Sequence, residues 1–377
     1  MSSWSPQHYR REAAKLGIGK ATIEAALAQA KAVQTRKLPA ILTLKHLSVE
    51  TGVSYLFLRS VVSRKIDPYR TFPITKRSGG TRYISVPDRR LLTVQRWLSD
   101  HVLSTQSPHS ASSAYAPGCS PAKCALVHVG CRWLIKVDIQ QFFESISEIQ
   151  AYRVFRSFGY GALIAFELGR LATRVGGSRL RREAPVWTVY NSADRYTIGS
   201  YRSPMLGYLP QGAATSPMLA NHAMAGFDDR VASIAEKAGM SYTRYSDDLA
   251  FSTTDEDFQR EKSRALIREI YATMRQFGLR PRTAKTVVAP PGARRIVLGV
   301  LVDSSNPRLS HAFRRRLECH IHFIERFGPT AHAKVRGFRT VAALRRHVFG
   351  LLAHAESIDP AFAAPLQAVA KRVQWPL

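Results

Sequence analysis

Hydrophobic and polar residues follow two different periods along this chain, and the change of period marks the predicted elements. Apolar residues recur at helical spacing in 13–34 and again in 44–62, where Gly52 falls between two short helices. The segment 44–62 fits either a DNA-reading helix-turn-helix or a small helical packing unit, and we favour the packing unit. In 72–87, apolar and polar residues alternate around Gly79-Gly80, which predicts a β-hairpin with a tight glycine turn.

The centre of the chain combines short strands with amphipathic helices. In 240–253, alternation on both sides of Asp247-Asp248 predicts two strands joined by a turn that carries two carboxylates. The other predicted elements are a helix over 91–103, a loop over 104–121, a strand over 133–137 that ends at Asp138, helices over 149–173, 216–237 and 255–277, and a strand over 296–302. This order predicts an α+β centre with a helical unit at each end. The basic and irregular stretch 174–202 is expected to form a surface insertion.

Charge adds a partner to this picture. Lys and Arg number 55 against 27 Asp and Glu, which gives a net charge of +28. Such an excess predicts a polyanionic partner, either nucleic acid or an anionic membrane surface. No apolar run approaches the roughly 18–20 residues that span a bilayer, and the first six residues lack a signal-peptide pattern. We therefore expect a cytoplasmic nucleic-acid protein that does not enter a membrane, with its four cysteines as free thiols.

Three aspartates are candidates for metal binding. Asp138 follows a predicted buried strand, and Asp247 and Asp248 occupy the predicted hairpin turn. Carboxylate oxygens are the ligands that Mg²⁺ prefers, and two such ions can activate an attacking oxygen and stabilise a leaving phosphate. Adjacent aspartates are also common in ordinary turns, so these residues alone leave both interpretations open.

Three further segments favour the catalytic interpretation when they are taken together. The small residues of 209–217 allow close approach of a nucleotide or template at the start of a helix, although the segment could be an ordinary helix N-terminus. Phe142-Phe143 follows Asp138, although an aromatic pair usually belongs to a core. The basic hairpin 76–82 could hold a triphosphate or could be a solvated face. Each signal is weak alone, and their order and spacing are specific.

In that order, these segments resemble the motifs of bacterial reverse transcriptases, most closely those of retrons. Tyr245-Ser-Asp-Asp248 resembles the polymerase Tyr-x-Asp-Asp box, and Asp138-Ile-Gln-Gln-Phe-Phe143 resembles the first acidic motif with its aromatic tail. The other similar segments are the Pro-Gln-Gly motif within 209–217, the fingers motif 76–82 with Pro87 and Gln95, the palm lysine motif 283–286, and the primer-grip region 297–299. The resemblance covers about residues 68–305 well and the following residues loosely.

The resemblance implies an α+β right-hand polymerase with fingers, a palm of antiparallel sheet and helices, and a helical thumb. We expect an N-terminal helical extension over 1–67, fingers and palm over 68–305, and a basic thumb over 306–377. It also implies that Asp138, Asp247 and Asp248 bind two Mg²⁺ ions and, with Lys285, carry the catalysis.

The same resemblance assigns binding roles to further residues. Lys76 and Arg82 would hold the triphosphate, Gln211 and Gly212 would shape the nucleotide pocket, and Phe143 would exclude a ribose 2′-OH. The residues implied in nucleic-acid binding are Arg77, His128, Arg314, Arg315 and Arg316.

Three positions depart from the retron pattern. Cys124 stands where retron enzymes carry Asn in an Asn-Ala-x-x-His segment, Leu298 replaces Thr in Val-Thr-Gly, and Arg282 occupies a position where Asn is frequent. These departures leave the polymerase assignment intact and bear on the retron subclass.

The implied function is RNA-directed DNA synthesis that converts a structured non-coding RNA into RNA-linked single-stranded DNA within an anti-phage system. The implied partners are that RNA, its DNA product, deoxynucleoside triphosphates and a possible effector or toxin protein. The alternatives are another bacterial reverse transcriptase, of a defence or group II intron type, and a non-catalytic RNA-binding protein. The intron type is disfavoured because the chain leaves little room for a maturase or endonuclease, and the three aspartates disfavour the non-catalytic protein.

Overall fold

The computed structural model of the chain describes residues 5–75, 79–176 and 206–376. Its Cα positions divide into two compact units. The first unit comprises 1–118, 138–233 and 268–282, and the second comprises 119–137, 234–267 and 283–377. In the described part of the chain, no helix has the length and apolar character needed to cross a membrane.

Helices are the longest regular elements of both units in the described chain. In chain order they are α1 (Pro6–Lys15), α2 (Lys20–Gln34), α3 (Leu44–Thr51), α4 (Tyr55–Val62), α5 (Arg89–Leu98), α6 (Pro121–Leu126), α7 (Glu148–Ser157), α8 (Ala162–Ala172), α9 (Ser216–Ala223), α10 (Ala225–Lys237), α11 (Arg260–Gln276), α12 (His311–Val335), α13 (Val341–Glu356) and α14 (Pro360–Arg372). A π-helical turn, Ser99–Leu103, continues α5, and short 3₁₀ turns cover Phe143–Ser145 and Thr283–Lys285.

The strands are short and antiparallel wherever their register is defined. They are β1 (Tyr69–Thr75), β2 (Thr81–Pro87), β3 (Trp133–Gln140), β4 (Ser241–Tyr245), β5 (Asp248–Thr253), β6 (Arg280–Pro281), β7 (Val287–Ala289), β8 (Ile296–Val297), β9 (Val300–Leu301) and β10 (Arg308–Leu309). Helices and antiparallel strands together confirm the predicted α+β class.

The first unit packs helices against the β1–β2 hairpin. Helices α7 and α8 approach closely because Gly169 has no side chain, and a Cβ there would lie 3.3 Å from the backbone nitrogen of Tyr152. Arg64 and Glu148 form a buried ion pair of 2.6 Å beside these helices, with Arg170 3.7 Å from the same carboxylate. The last residues of β3, Ile139 and Gln140, pair with β6 in this unit.

In the second unit, the hairpin of β4 and β5, which carries Asp247 and Asp248, lies beside β3. The strand order is β4-β5-β3, and residues 134–136 of β3 also pair with β7. The small strands β8, β9 and β10 form a separate three-stranded sheet. Apolar residues at helical spacing on α12, α13 and α14 complete one core with these strands, including Leu317, Ile321, Leu344 and Val348.

The boundaries of several predicted elements were wrong. The segment 13–34 divides into α1 and α2 at Gly17, whose φ is +73°, and 44–62 divides at Gly52 as predicted. The predicted helices 149–173 and 216–237 each divide in two. The predicted strand 296–302 is a hairpin of β8 and β9, because Leu298 and Gly299 have φ values of +49° and +89° and reverse the chain.

Candidate active site

The tip of the β4–β5 hairpin carries the two adjacent carboxylates. Tyr245 pairs with Asp248 across the strands, so Ser246 and Asp247 form a two-residue turn. Ser246 has a φ of +62°, whereas Asp247 keeps a negative φ, and this is the pattern of a type II′ turn. Asp247 is half-buried and Asp248 is exposed. The predicted strand–turn–strand is confirmed, and it holds both carboxylates at the end of a rigid hairpin.

His128 supports this hairpin from the interior of the second unit. Its Nδ1 lies 2.7 Å from the Ser252 hydroxyl and its Nε2 lies 2.7 Å from the Thr243 hydroxyl. The Cys124 thiol lies 3.3 Å from the same Thr243 hydroxyl. Burial lowers the pKa of His128 to about 4, so the ring is neutral at pH 7 and donates at one nitrogen while it accepts at the other.

The expected contact between His128 and nucleic acid is therefore wrong for this structure. The side chain is fully buried, and both ring nitrogens already have hydroxyl partners. The residue fixes β4 against β5. Cys124, which replaces the Asn of the retron pattern, contacts the same Thr243 hydroxyl.

Asp138 lies inside strand β3 rather than at its end. The strand continues to Gln140 because Ile139 and Gln140 find partners on β6. The carbonyl of Asp138 accepts a hydrogen bond of 2.8 Å from the Arg282 amide. The residue is 4% exposed, and β3 is the neighbour of β5 in the sheet.

The aromatic pair after β3 divides into one core residue and one half-buried residue. Gln141 has a φ of +50° and leads into the 3₁₀ turn Phe143–Ser145. Phe142 is 4% exposed, whereas Phe143 is half-buried with its ring centroid 5.3 Å from that of Phe142. The ring centroid of Tyr115 lies 6.3 Å from that of Phe143. Sequence reasoning missed Tyr115 because it lies in a loop of Ser, Pro and Ala with no recognisable pattern.

The Pro-Gln-Gly segment lies directly against strand β2. The carbonyl of Gln211 accepts a hydrogen bond of 2.8 Å from the Ser85 amide. Gly212 has a φ of +115°, and a Cβ there would lie 2.9 Å from the Ser85 carbonyl oxygen and 2.9 Å from Ile84 Cγ2. Helix α9 then begins at Ser216, whose hydroxyl donates to the Pro210 carbonyl at 2.8 Å. The contact with β2 therefore requires a glycine at position 212.

The predicted basic hairpin forms, but residues 76–80 connect its strands, so the connection is longer than the predicted tight glycine turn. Thr75 pairs with Thr81, and Gly79 and Gly80 both have φ near +80°. Arg82 is exposed on β2. Lys76 and Arg77 lie outside the described residues.

Arg174 is a structural residue that sequence reasoning assigned to a surface insertion. It is 9% exposed, donates to the Ser85 hydroxyl at 2.9 Å and pairs with Asp67. Its backbone exchanges hydrogen bonds of 3.1 and 3.0 Å with Tyr208. It thereby ties the base of the β1–β2 hairpin to the segment that precedes Gln211. The insertion prediction was wrong at this residue, and 177–202 lie outside the described residues.

The remaining predicted site residues belong to the second unit. Lys285 is exposed at the end of a 3₁₀ turn. Arg315 and Arg316 are exposed on the first part of α12. Arg314 instead pairs with Asp359, and its guanidinium lies 4.8 Å from the Phe362 ring centroid.

Three motif segments each contain a non-glycine residue with left-handed backbone. In the described chain, the non-glycine residues with positive φ are Lys37, Arg64, Tyr115, Gln141, Ser246 and Leu298. Gln141, Ser246 and Leu298 each lie in a segment that resembles a family motif. Such residues persist only where the surrounding structure fixes them, and they are frequent at functional sites.

The donor chemistry of the aspartates fits a hard divalent cation. Their oxygens are the ligand type that Mg²⁺ prefers, and Mg²⁺ typically takes only one or two carboxylates while substrate phosphates and waters complete its shell. Among the described residues, no three His, Cys, Asp or Glu side chains are grouped to hold an ion by themselves.

Comparison with known proteins identifies the class. The family described as reverse transcriptase (RNA-dependent DNA polymerase) matches residues 74–302. The retron Mx65 reverse transcriptase of Myxococcus xanthus is 30% identical over 86% of this chain and 70% of its own length. The retron Mx162 enzyme of the same organism is 31% identical, and the chain spans 52% of its length. The retron Ec86 reverse transcriptase of Escherichia coli is 25% identical over 76% of this chain and 79% of its own length.

Solved structures give a weaker likeness. Telomerase from Candida albicans, in complex with a fragment of telomeric RNA, has a TM-score of 0.41 at 9% identity over 81% of this chain and 66% of that chain. A foamy viral protease-reverse transcriptase has a TM-score of 0.40 at 12% identity, over 81% of this chain and 39% of that chain.

The chain therefore belongs to the reverse transcriptase family, the RNA-directed DNA polymerases, and within it to the bacterial retron-type enzymes. The predicted right-hand polymerase class follows from that membership.

Proposed function

We propose that this enzyme copies a structured non-coding RNA into RNA-linked single-stranded DNA, by two-metal nucleotidyl transfer, as part of an anti-phage defence system. The observation that supports it most is the pair Asp247-Asp248 at a strained turn, on a hairpin whose strand β5 neighbours the strand that carries Asp138.

The three aspartates would carry the reaction. Two Mg²⁺ ions, when bound, would lower the pKa of a primer hydroxyl and stabilise the charge on the leaving pyrophosphate. The primer hydroxyl would lose its proton to water, its oxygen would form a bond to the α-phosphorus, and the bond from that phosphorus to the pyrophosphate oxygen would break. The role of Asp138, Asp247 and Asp248 is to neutralise charge at this centre from rigid strand and turn positions.

The nucleotide would lie against the β2 strand and the Pro-Gln-Gly segment. Arg82 is exposed on β2 and would bind the triphosphate together with Lys76, while Lys285 would lie near the leaving pyrophosphate. Gly212 and the half-buried Gln211 would shape the pocket, since their backbone is fixed to β2. The half-buried ring of Phe143 would exclude a 2′-OH, whereas Phe142 belongs to the core.

The thumb helix α12 would bind the RNA. It bends at Gly328, which has non-helical φ and ψ of 79° and 159°, and its two arms enclose a groove of about 760 Å³. Arg315, Arg316 and Arg336 line this groove, and its lining contains no acidic residue. The exposed rings of Phe323 and Phe327 lie 5.9 Å apart and 21° from parallel. Arginines beside exposed aromatic rings are what phosphates and unpaired bases bind.

The aspartate roles can be tested by primer extension. Asp247→Asn keeps the shape of the side chain and removes its charge, so we expect the rate with Mg²⁺ to fall by at least about 100-fold, because metal stabilisation contributes several kcal/mol. The matched control is Asp257→Asn, an exposed aspartate in the loop before α11, which should keep wild-type activity. Near-wild-type extension by Asp247→Asn, with an unchanged circular-dichroism melt, would contradict the assignment.

The RNA-linked product needs a separate test, because Cys124 departs from the retron pattern and favours another bacterial reverse transcriptase as the second candidate. The gene and its upstream flank are expressed in bacteria, and nucleic acid is extracted. If the enzyme is of the retron type, we expect a short DNA whose mobility changes after RNase treatment and after debranching. This DNA should be lost with Asp248→Ala. Abundant DNA without attached RNA would identify a defence-type enzyme instead.

A further inference from the structure

Tyr115 occupies a strained turn in the first unit. Its φ is +66°, and the amide of Ala116 donates a 2.8 Å hydrogen bond to the carbonyl of Ala114. A hydrogen bond between residues two apart, around a central residue with positive φ, defines the rarer and more strained form of γ-turn. Aromatic residues seldom adopt this conformation, so the surrounding structure must fix it.

A buried amide supplies that constraint. Asn221 on α9 is fully buried, and its Nδ2 donates to the Ala114 carbonyl at 2.7 Å. The same carbonyl therefore accepts from both Asn221 and Ala116. Helix α9 begins at Ser216, so Tyr115 is tied to the helix that follows Gln211 and Gly212.

The constraint points the ring at Phe143. Tyr115 remains 43% exposed, and its ring centroid lies 6.3 Å from that of Phe143 at an interplanar angle of 44°. The ring centroid of Phe142 lies 5.3 Å from that of Phe143, and Phe142 is itself in the core. Phe143 therefore has one aromatic neighbour fixed by the core and a second fixed by the γ-turn.

We propose that Tyr115 is a positioning residue for sugar selection, which holds the Phe143 ring in the orientation that excludes a ribonucleotide. The inference rests on the proposed role of Phe143 as the sugar gate. A half-buried phenylalanine with a single aromatic neighbour can rotate more freely about its side-chain bonds, and a rotated ring leaves space for a 2′-OH. The strained turn places a large ring where it restricts that rotation.

The test compares incorporation of a deoxynucleotide and its ribonucleotide by the full-length enzyme, as the ratio of the two kcat/KM values. Tyr115→Asn removes the ring and keeps a residue type that tolerates positive φ. We expect the deoxynucleotide-to-ribonucleotide ratio of this variant to fall about 2- to 10-fold, which is the rate change that the loss of one aromatic pair would cause. The fall should come from a higher kcat/KM for the ribonucleotide. Tyr115→Phe should keep the ratio. Leu163→Ala, at an exposed position on α8, is the control for an unrelated truncation.

A double-mutant cycle with Phe143→Ala separates this role from a structural one. If Tyr115 acts through Phe143, Tyr115→Asn has no further effect on the ratio in the Phe143→Ala background. Tyr115→Gly, which fits the same backbone, provides a second ring deletion if the asparagine variant folds poorly.

The remaining outcomes distinguish failure of the Tyr115 inference from failure of the proposed Phe143 gate. A changed ratio in Phe143→Ala with an unchanged ratio in both Tyr115 deletions contradicts the inference and leaves the gate in place. Additive effects in the double variant show that Tyr115 acts on the nucleotide directly, which also contradicts the inference. An unchanged ratio in active Phe143→Ala enzyme contradicts the proposed gate, and the inference fails with it.

Discussion

At the scale of single residues, His128 shows how burial decides the role of a side chain. An imidazole between two hydroxyls satisfies both in its neutral form, since it donates to one and accepts from the other. Protonation would leave both nitrogens as donors inside the hairpin core. Burial therefore lowers the pKa of His128 to about 4, below the value of 6.5 expected for the unfolded chain.

This shift predicts a pH dependence of stability. The unfolded chain binds a proton at His128 below pH 6.5 while the folded protein does not until about pH 4, so stability falls as the pH drops through that window. Between about pH 7 and pH 5, His128 alone should lower the free energy of unfolding by about 2 kcal/mol. The measurement is denaturant unfolding of wild type and His128→Asn, whose amide can also donate and accept. The variant should lose less stability on acidification, and parallel curves for the two proteins would disprove the shift.

At the scale of elements, the Pro-Gln-Gly segment and strand β2 form one unit. The Gln211 carbonyl bonds to the Ser85 amide, and Gly212 leaves no space for a side chain between the segment and β2. Gly212 also has a φ of +115°, which residues with a Cβ rarely adopt. The contact fixes the two faces that we assign to the nucleotide pocket.

Gly212→Ala should therefore lower stability by about 2–4 kcal/mol, from overpacking and backbone strain together. Gly350→Ala is the matched control, because it lies inside α13 with nothing within 4 Å of an added Cβ. That control should be neutral or stabilise the protein by about 0.5–1 kcal/mol. Thermal melts of the two variants measure the difference, and equal melting temperatures would mean that β2 and the segment are not held together as described.

At the scale of the whole molecule, charge sets the binding of nucleic acid. The net charge of +28 includes Arg315 and Arg316, which line the thumb groove, whereas the neighbouring Arg314 pairs with Asp359. Arginines without a carboxylate partner displace counterions from phosphates, and that displacement makes the affinity depend on salt.

With about 6–10 phosphates neutralised, RNA affinity should fall roughly 10³- to 10⁵-fold between about 50 and 200 mM salt. Arg315→Ala and Arg316→Ala should each reduce the slope of log affinity against log salt by about 1. Arg314→Ala should change that slope less, because its guanidinium is already neutralised. Fluorescence anisotropy with a labelled structured RNA measures the slopes, and a nearly flat salt dependence would contradict phosphate-dominated binding.

The sequence alone was sufficient for the local features of the protein. Period-2 alternation around Asp247-Asp248 predicted β4, its turn and β5, because cross-strand pairing and turn chemistry act over a few residues. The sequence predicted the ends of helices less well. The break at Gly17 was missed because an isolated glycine inside a helical pattern is compatible with either a continuing or an ending helix. The extension of β3 past Asp138 was also missed, because it depends on β6, which lies some 140 residues later in the chain.

The tertiary structure decided which chemically suitable side chains are available. The amino-acid sequence does not show whether His128 is buried or exposed. It also does not show that Arg314 forms an ion pair while Arg315 lines a groove, because burial and partners depend on contacts between distant segments. Tyr115 carries no sequence signal, and its turn becomes visible only where Asn221, a hundred residues later, holds the Ala114 carbonyl. The sequence by itself determined the motifs and the class of chemistry, since these are properties of residue types at short spacing. The fold determined which residues can reach a substrate, since exposure and orientation are properties of packing.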